Sequence, residues 1–239
     1  MRPHNFVLIA GAWHGAWCWQ RVAPLLERQG HRVLTPELPG TGADATDPAS
    51  ITLEVWARFI AGLITQEVEP VTLVGHSRGG IVISRAAELA PERVRRLVYL
   101  AAYLLPAGAS LADAARTDLD SLVPPNMIPA ADGHTCNLRA DVIRPALFGQ
   151  CTDADYEYAR ARMTPEPLKP LVTRMKVSAP RFGAVPRAYI ECLQDRTVTL
   201  TAQRRMQAAL PCDPVFALDS DHSPFLSHPE ELAQLLGGL

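Results

Sequence analysis

Val71-Thr72-Leu73-Val74-Gly75-His76-Ser77-Arg78-Gly79-Gly80 is the stretch from which the fold is read. Val71 to Gly75 is an apolar run with β-branched members, the pattern of a strand covered on both faces. A helix is expected to follow, as far as Ala90. Between them Gly75 to Gly79 spells G-x-S-x-G, in the strand-turn-helix setting that gives this pattern chemical meaning. A sharp turn there lifts the Ser77 hydroxyl clear of the sheet. Gly75 and Gly79 remove Cβ atoms that would collide where strand and helix approach. The Arg78 backbone N–H then lies at a helix N-terminus, where an oxyanion is welcome. The competing reading is an ordinary serine in a strand-to-helix turn.

Outward from this turn the chain alternates strand and helix. Phe6 to Ala10 reads as a buried strand, Trp17 to Gln29 as a helix stopped by Gly30, and Arg32 to Thr35 as a short strand. Trp56, Phe59, Ile60, Leu63 and Ile64 recur at i, i+3, i+4, i+7 and i+8, one face of a helix within 52–68, with Thr52 as its cap. Val94 to Leu100 is another strand. Strand, helix, strand, helix at this pitch predicts an α/β fold: a mainly parallel sheet with helices on both faces. The grammar resumes with the strand Arg187 to Cys192, a helix near Thr199 to Leu210, the strand Val215 to Leu218 and a last helix from Pro229.

Composition shifts in between. Ten of the 21 prolines lie from Pro106 to Pro186, and periodicity weakens there, with one helix expected from Asp153 to Met163. Residues 107–180 carry enough Leu, Phe, Met and Tyr to pack, so they are read as a small cap inserted into a core formed by 1–106 and 181–239.

The chain of 239 residues is 48% hydrophobic and 20% charged, which excludes a disordered chain. Its net charge of −2 offers no field for nucleic acid or an anionic membrane. No apolar stretch is long enough to span a bilayer, and the start lacks the pattern of a signal peptide. Five scattered cysteines without a C-x-x-C read as reduced thiols, and no metal ligand spacing is present. A cytoplasmic protein is expected, with a homodimer left open.

A serine hydroxyl is a poor nucleophile until a base takes its proton. In chains with this elbow, the acid and then the histidine follow the serine. Of seven histidines only His134, His222 and His228 lie well downstream. His134 falls in the irregular cap and His228 at the start of the last helix. His222 falls in the loop after the last strand, at the edge where Ser77 emerges. Asp195, in the turn after the strand Arg187 to Cys192, is the candidate orienting acid. Asp219 and Asp221 are too near His222 in sequence to reach its Nδ1, and Glu191 lies within a strand. Gly11, after the first strand, lets the backbone approach a substrate closely, with the Ala12 N–H as second oxyanion donor beside Arg78. The dinucleotide pattern G-x-G-x-x-G is absent.

With these residues on the page, Phe6 to Trp19, Gly75 to Gly80, Tyr189 to Val198 and Ser220 to Pro229 together resemble the α/β-hydrolase superfamily. Within it they resemble the branch of plant-type methyl esterases and hydroxynitrile lyases, and their bacterial relatives. The resemblance runs from Phe6 to the end, the cap matching in size and position only. It implies that Ser77, Asp195 and His222 form the triad, with Ala12 and Arg78 as oxyanion donors. Two departures stand out. Ala10-Gly11 replaces the His-Gly of many relatives, and a charged residue, Arg78, follows the nucleophile. The Arg78 guanidinium is then either a solvent-facing, paired group or a contact for an acidic or carbonyl-rich substrate. The lyases of this branch carry a hydroxyl residue where this chain has Gly11 and a lysine where it has Ser223, so the likeness disfavours cyanohydrin cleavage.

The expectation is a serine hydrolase that cleaves a small-molecule carboxylic ester, methyl or aryl, through an acyl-enzyme without any cofactor. A lyase, a C–C bond hydrolase or a lactonase on the same triad is the alternative. A ligand receptor with slow turnover is the alternative of another class. Gly11, Trp13, His76, Leu104, Phe148 and Phe225 are candidate substrate contacts, against the competing reading of core packing for each apolar member.

Overall fold

The structure is a computed structural model that describes residues 4–131 and 133–239. Its strands are β1 (Asn5–Ile9), β2 (Arg32–Leu34), β3 (Val71–His76), β4 (Val94–Leu100), β5 (Met127–Pro129), β6 (Thr135–Leu138), β7 (Glu166–Pro167), β8 (Arg187–Cys192) and β9 (Val215–Leu218). Its helices are α1 (Val22–Arg28), α2 (Leu53–Thr65), α3 (Gly79–Leu89), α4 (Leu111–Arg116), α5 (Ala140–Leu147), α6 (Asp153–Arg160), α7 (Leu168–Val172), α8 (Leu200–Ala209), α9 (Pro224–Ser227) and α10 (Pro229–Gly237).

Among the described residues, six strands form one sheet in the order β2-β1-β3-β4-β8-β9, every pair parallel. The expected α/β architecture is borne out. Alternation along each strand sends successive side chains to opposite faces. Val7, Ile9, Leu73, Leu97 and Tyr99 join α2, α3 and α8 in one core. Phe6, Leu8, Val74, Val98 and Leu100 join α1 and α10 in the other. A strand buried on both sides has no polar face, which is why β3 reads as a continuous run. In α2, Thr52 accepts a hydrogen bond from the Val55 N–H at 3.2 Å, and Trp56, Ile60 and Ile64 are buried while Phe59 is exposed.

Order reverses between β1 and β3: the chain first steps from β1 to β2, then returns to the other side of β1. In open parallel sheets the crevice beyond the strand ends at such a reversal is where ligands bind. The segments leaving β1 and β3 are the ones that carry Gly11, Ala12 and Ser77.

Two elements depart from expectation. The helix expected from Trp17 to Gln29 splits into a short 3₁₀ turn at Ala16–Trp19 and α1. Pro24 has no N–H for the Gln20 carbonyl and its ring opposes helix there, so the α-helix starts only at Val22. The segment between β4 and β8 is more ordered than its weak periodicity suggests. Besides α6 it holds α4, α5, α7 and an antiparallel sheet in the order β5-β6-β7. Its elements are short and depend on long-range partners, which a periodicity count cannot see. All five cysteines are free, four of them buried and Cys212 partly so. No helix among the described residues is long and apolar enough to cross a membrane.

Candidate active site

Ser77 follows β3 and takes φ 51°, a left-handed conformation that costs a side-chain-bearing residue energy and persists only where its surroundings enforce it. The enforcement is visible. The Ser77 N–H donates to the Leu100 carbonyl at 3.1 Å, and the Ser77 carbonyl accepts from Gly80 and Tyr103, each at 3.1 Å. The glycines around it are spacers. A Cβ on Gly75 would sit 2.7 Å from the Gly79 carbonyl carbon, and one on Gly79 would sit 2.8 Å from the Ile9 oxygen. The Ser77 side chain is nearly buried, and its hydroxyl has no hydrogen-bond partner among the described residues.

Asp195 and His222 meet. His222 Nδ1 lies 2.7 Å from Asp195 Oδ2, with both side chains buried. The other oxygen, Oδ1, accepts the Thr197 and Val198 N–H groups at 2.7 and 3.0 Å. The rival acids are committed elsewhere. Asp221 accepts from the Gln150 and Ser223 N–H groups at 2.9 and 3.2 Å. Asp219 takes the Gln194 amide at 2.9 Å, and Glu191 pairs with Arg204 at 3.1 Å. Burial pushes the Asp221 carboxyl above its ordinary range, against the pull of its hydrogen bonds. His228 Nδ1 lies 2.9 Å from the Ser227 hydroxyl, beside α10, while His134 belongs to the segment between β4 and β8, where its carbonyl accepts the Leu168 N–H at 2.9 Å.

His76, directly before Ser77, ties this pair to the elbow. Its Nε2 is 2.8 Å from the His222 carbonyl, and the rings of His76 and His222 are 4.5 Å apart. A carbonyl only accepts, so His76 Nε2 carries the proton. The buried Nδ1 is then a lone pair without a partner. His14 follows the same logic: Nδ1 donates to the Ala12 carbonyl at 2.7 Å, leaving Nε2 buried and unpaired. Burial drives the pKa of His14 down to about 3 and that of His76 well below its ordinary value, so both rings are neutral.

A cavity of about 40 Å³ opens beside Ser77, walled by Ala12, Trp13, Arg78, Tyr103 and the apolar side chains of Leu111, Val123, Met127 and Leu171. Of the expected substrate contacts, only Trp13 lines it. Leu104 is packed in the core on one face of the sheet. Phe148 and Phe225 lie on the other face, their rings each 5.6 Å from His14. They fill space behind the histidines, since large apolar rings there exclude water from the imidazoles. His76 is fully buried behind Ser77. Gly11 is a spacer against protein: a Cβ there would lie 2.6 Å from His76 Nδ1 and 3.0 Å from Ser77 Cβ.

The Arg78 side chain is a paired group, as one of the two expectations held, but it is turned away from solvent. It is 1% exposed, so it is not a solvent-facing group. It is neutralised within the protein by Glu166 of β7, whose Oε1 lies 2.8 Å from Arg78 Nε, also at 1% exposure. Its guanidinium stacks over Trp56, 4.3 Å from the ring centroid, and Nη2 donates to the Gly11 carbonyl at 2.8 Å. Burial raises the Glu166 pKa while Arg78 draws it back down. Sequence reading missed Glu166 altogether. A lone Glu between two prolines in an aperiodic segment carries no local signal. The one clue was a cation next to the candidate nucleophile, which needs an acid if buried.

A model of the alpha/beta hydrolase family matches residues 6–235. The chain is 31% identical over 250 residues to the candidate chloroplastic methylesterase 11 of Arabidopsis thaliana, matching 99% of this chain and 64% of that longer protein. It thus spans less than two thirds of that relative. It is 30% identical to methylesterase 2 of Arabidopsis thaliana over 98% of this chain and 95% of that protein. The crystal structure of Arabidopsis methylesterase MES16 superposes with a TM-score of 0.86 at 25% identity, covering 98% of this chain and 97% of that one. The chain belongs to the alpha/beta hydrolase family, on its methylesterase-like branch.

Proposed function

We propose that this protein is a serine esterase that hydrolyses a small-molecule carboxylic ester. The observation that carries the reading is the buried Asp195–His222 contact at the strand edge where the strained Ser77 turn emerges. Asp195 holds the proton of His222 on Nδ1, so Nε2 offers its lone pair. The Ser77 hydroxyl turns to His222 as substrate enters, since catalytic hydrogen bonds of this kind tighten on binding. Ser77 Oγ then attacks the ester carbonyl and His222 takes its proton. The Ala12 and Arg78 N–H groups stabilise the tetrahedral oxyanion. His222 protonates the departing alcohol, and water repeats the sequence on the acyl-enzyme. Residues 107–180 act as the cap, which contributes Leu111, Val123, Met127 and Leu171 to the cavity wall and favours an uncharged acyl or alcohol part. The names of the methylesterase relatives support a methyl ester.

A panel of small methyl, aryl and lactone esters, with a cyanohydrin and a β-diketone as comparators, tests this. Ester turnover should dominate, and Ser77→Ala should lower it by about 10⁴ or more in kcat. Near-parental ester turnover in Ser77→Ala, or turnover confined to the cyanohydrin or diketone, would overturn the proposal.

A further inference from the structure

The Gly11–Ala12 peptide contributes both the Gly11 carbonyl and the Ala12 N–H. These two groups point in opposite directions from one rigid plane. Ala12 lines the cavity, and in the serine esterase reading its N–H faces into it; rotating that plane by half a turn would turn the N–H away and bring a carbonyl oxygen in, where it would repel an oxyanion. The rotation changes ψ at Gly11, which glycine tolerates, and φ at Ala12, which would have to leave its negative value for the left-handed side that Trp13 and Ser77 already occupy. A Cβ at Gly11 is excluded by His76 and Ser77, so the chain cannot stiffen the peptide by substitution there. Partners outside the loop add to the resistance that Ala12 itself offers.

The structure supplies the hold on each side of Ala12. Arg78 Nη2 grips the Gly11 carbonyl at 2.8 Å. Glu166 Oε2 accepts the Trp13 N–H at 3.1 Å, and His14 donates to the Ala12 carbonyl at 2.7 Å. Trp13 has φ 62°, another left-handed residue with a side chain. Its other polar groups are also tied to the segment between β4 and β8: the indole N–H donates to the Cys136 carbonyl at 3.1 Å, and its carbonyl accepts the Thr164 N–H at 3.1 Å. Arg78 in turn sits between Glu166 and Trp56, buried on both sides.

We infer that the Arg78–Glu166 pair is a positioning device that locks the Gly11–Ala12 peptide with its N–H facing the reacting carbonyl. Arg78 thus serves the oxyanion twice, with its own N–H directly and with its guanidinium through Gly11. The inference rests on the serine esterase reading and adds to it that the cap helps build the oxyanion site from Glu166.

The double variant Arg78→Met/Glu166→Gln tests the lock. It removes both buried charges together, and the Gln oxygen still accepts the Trp13 N–H, so the Gly11 carbonyl alone loses its donor. In the full-length protein, kcat on a small ester should fall by up to about 10², the effect of one lost oxyanion donor, with KM within about threefold. Affinity for a phenylboronic acid, whose adduct on Ser77 places an oxygen at the same donors, should fall by the same factor. Near-UV circular dichroism should match the parent. Arg78→Lys keeps the pair charged but cannot hold Gly11 and Glu166 with separate nitrogens as Arg does. It should lose about tenfold in kcat with the same split, and it carries the test if the neutral pair does not fold. A folded variant with parental kcat and boronate affinity would overturn the inference, as would equal losses in kcat and 1/KM with boronate affinity intact. If Ser77→Ala itself kept turnover and boronate binding, the esterase reading would fail instead, which separates the outcomes.

Discussion

Asp195 divides its work between its oxygens: Oδ1 receives the N–H groups of Thr197 and Val198, and Oδ2 receives His222 Nδ1. The Oδ1 contacts fix the carboxylate, so its angle to the imidazole does not depend on His222. Asp195→Asn preserves that shape and reverses one polarity. The amide NH₂ facing Nδ1 would force the ring proton onto Nε2 and leave no lone pair for Ser77. We predict a loss of about 10⁴ in kcat with an unchanged circular dichroism spectrum. A loss below tenfold on saturating ester would rule out the orienting role. Asp195 was legible in the sequence because the end of β8 and the loop after β9 are both local patterns. The destinations of Asp219, Asp221 and Glu191 were not, since each partner lies on another segment.

The elbow is a contact between elements. β3, α3 and the turn after β4 approach so closely that a Cβ on Gly80 would sit 2.4 Å from the Tyr103 carbonyl oxygen. Both partners are backbone, so no side chain can rotate away. Gly80→Ala should force α3 outward and strain the Tyr103 hydrogen bond to the Ser77 carbonyl. The expected cost is about 1–3 kcal/mol, or a drop of about 2–12 °C in Tm by calorimetry, together with reduced kcat. An unchanged Tm would show that the turn is looser than described. Elements of the sheet were readable because burial on both faces leaves an uninterrupted apolar run. The 3₁₀ break before α1 and the β5-β6-β7 sheet were not, because one depends on a proline's missing donor and the other on strands of at most four residues.

For the molecule as a whole, neutral imidazoles buried at the meeting point of the strand ends couple stability to pH. The pKa of His14 is lowered to about 3, by burial first and further by the electrostatic influence of the neighbouring His222 and Arg78, against the bond to Ala12. His76 is lowered in the same way. Unfolding returns each ring to its ordinary pKa near 6.5, so the unfolded chain binds more protons between that value and the folded one. Stability from these groups is therefore whole above about pH 6.5 and is lost as pH falls towards 3. His14→Gln keeps a donor for the Ala12 carbonyl and removes the titration. Urea unfolding across about pH 4.5 to 7 should show a slope shallower than the parent's by up to about 1.4 kcal/mol per pH unit. Identical slopes in the two proteins would mean that His14 is charged in the folded state.

Local chemistry along the chain determined the parallel sheet, the glycine-flanked turn around Ser77 and the loops that bear Asp195 and His222. Apolar runs, glycines and turn residues act on their immediate neighbours, so their meaning survives without a structure. Tertiary structure alone decided that Arg78 is buried, that Glu166 neutralises it from 88 positions away, and that Trp13 is tied to Glu166 across 153. It also decided that Leu104, Phe148 and Phe225 pack into the core. The cost of a buried charge and the wall of a cavity depend on which distant segment comes to cover them, and no spacing within one stretch of chain encodes that.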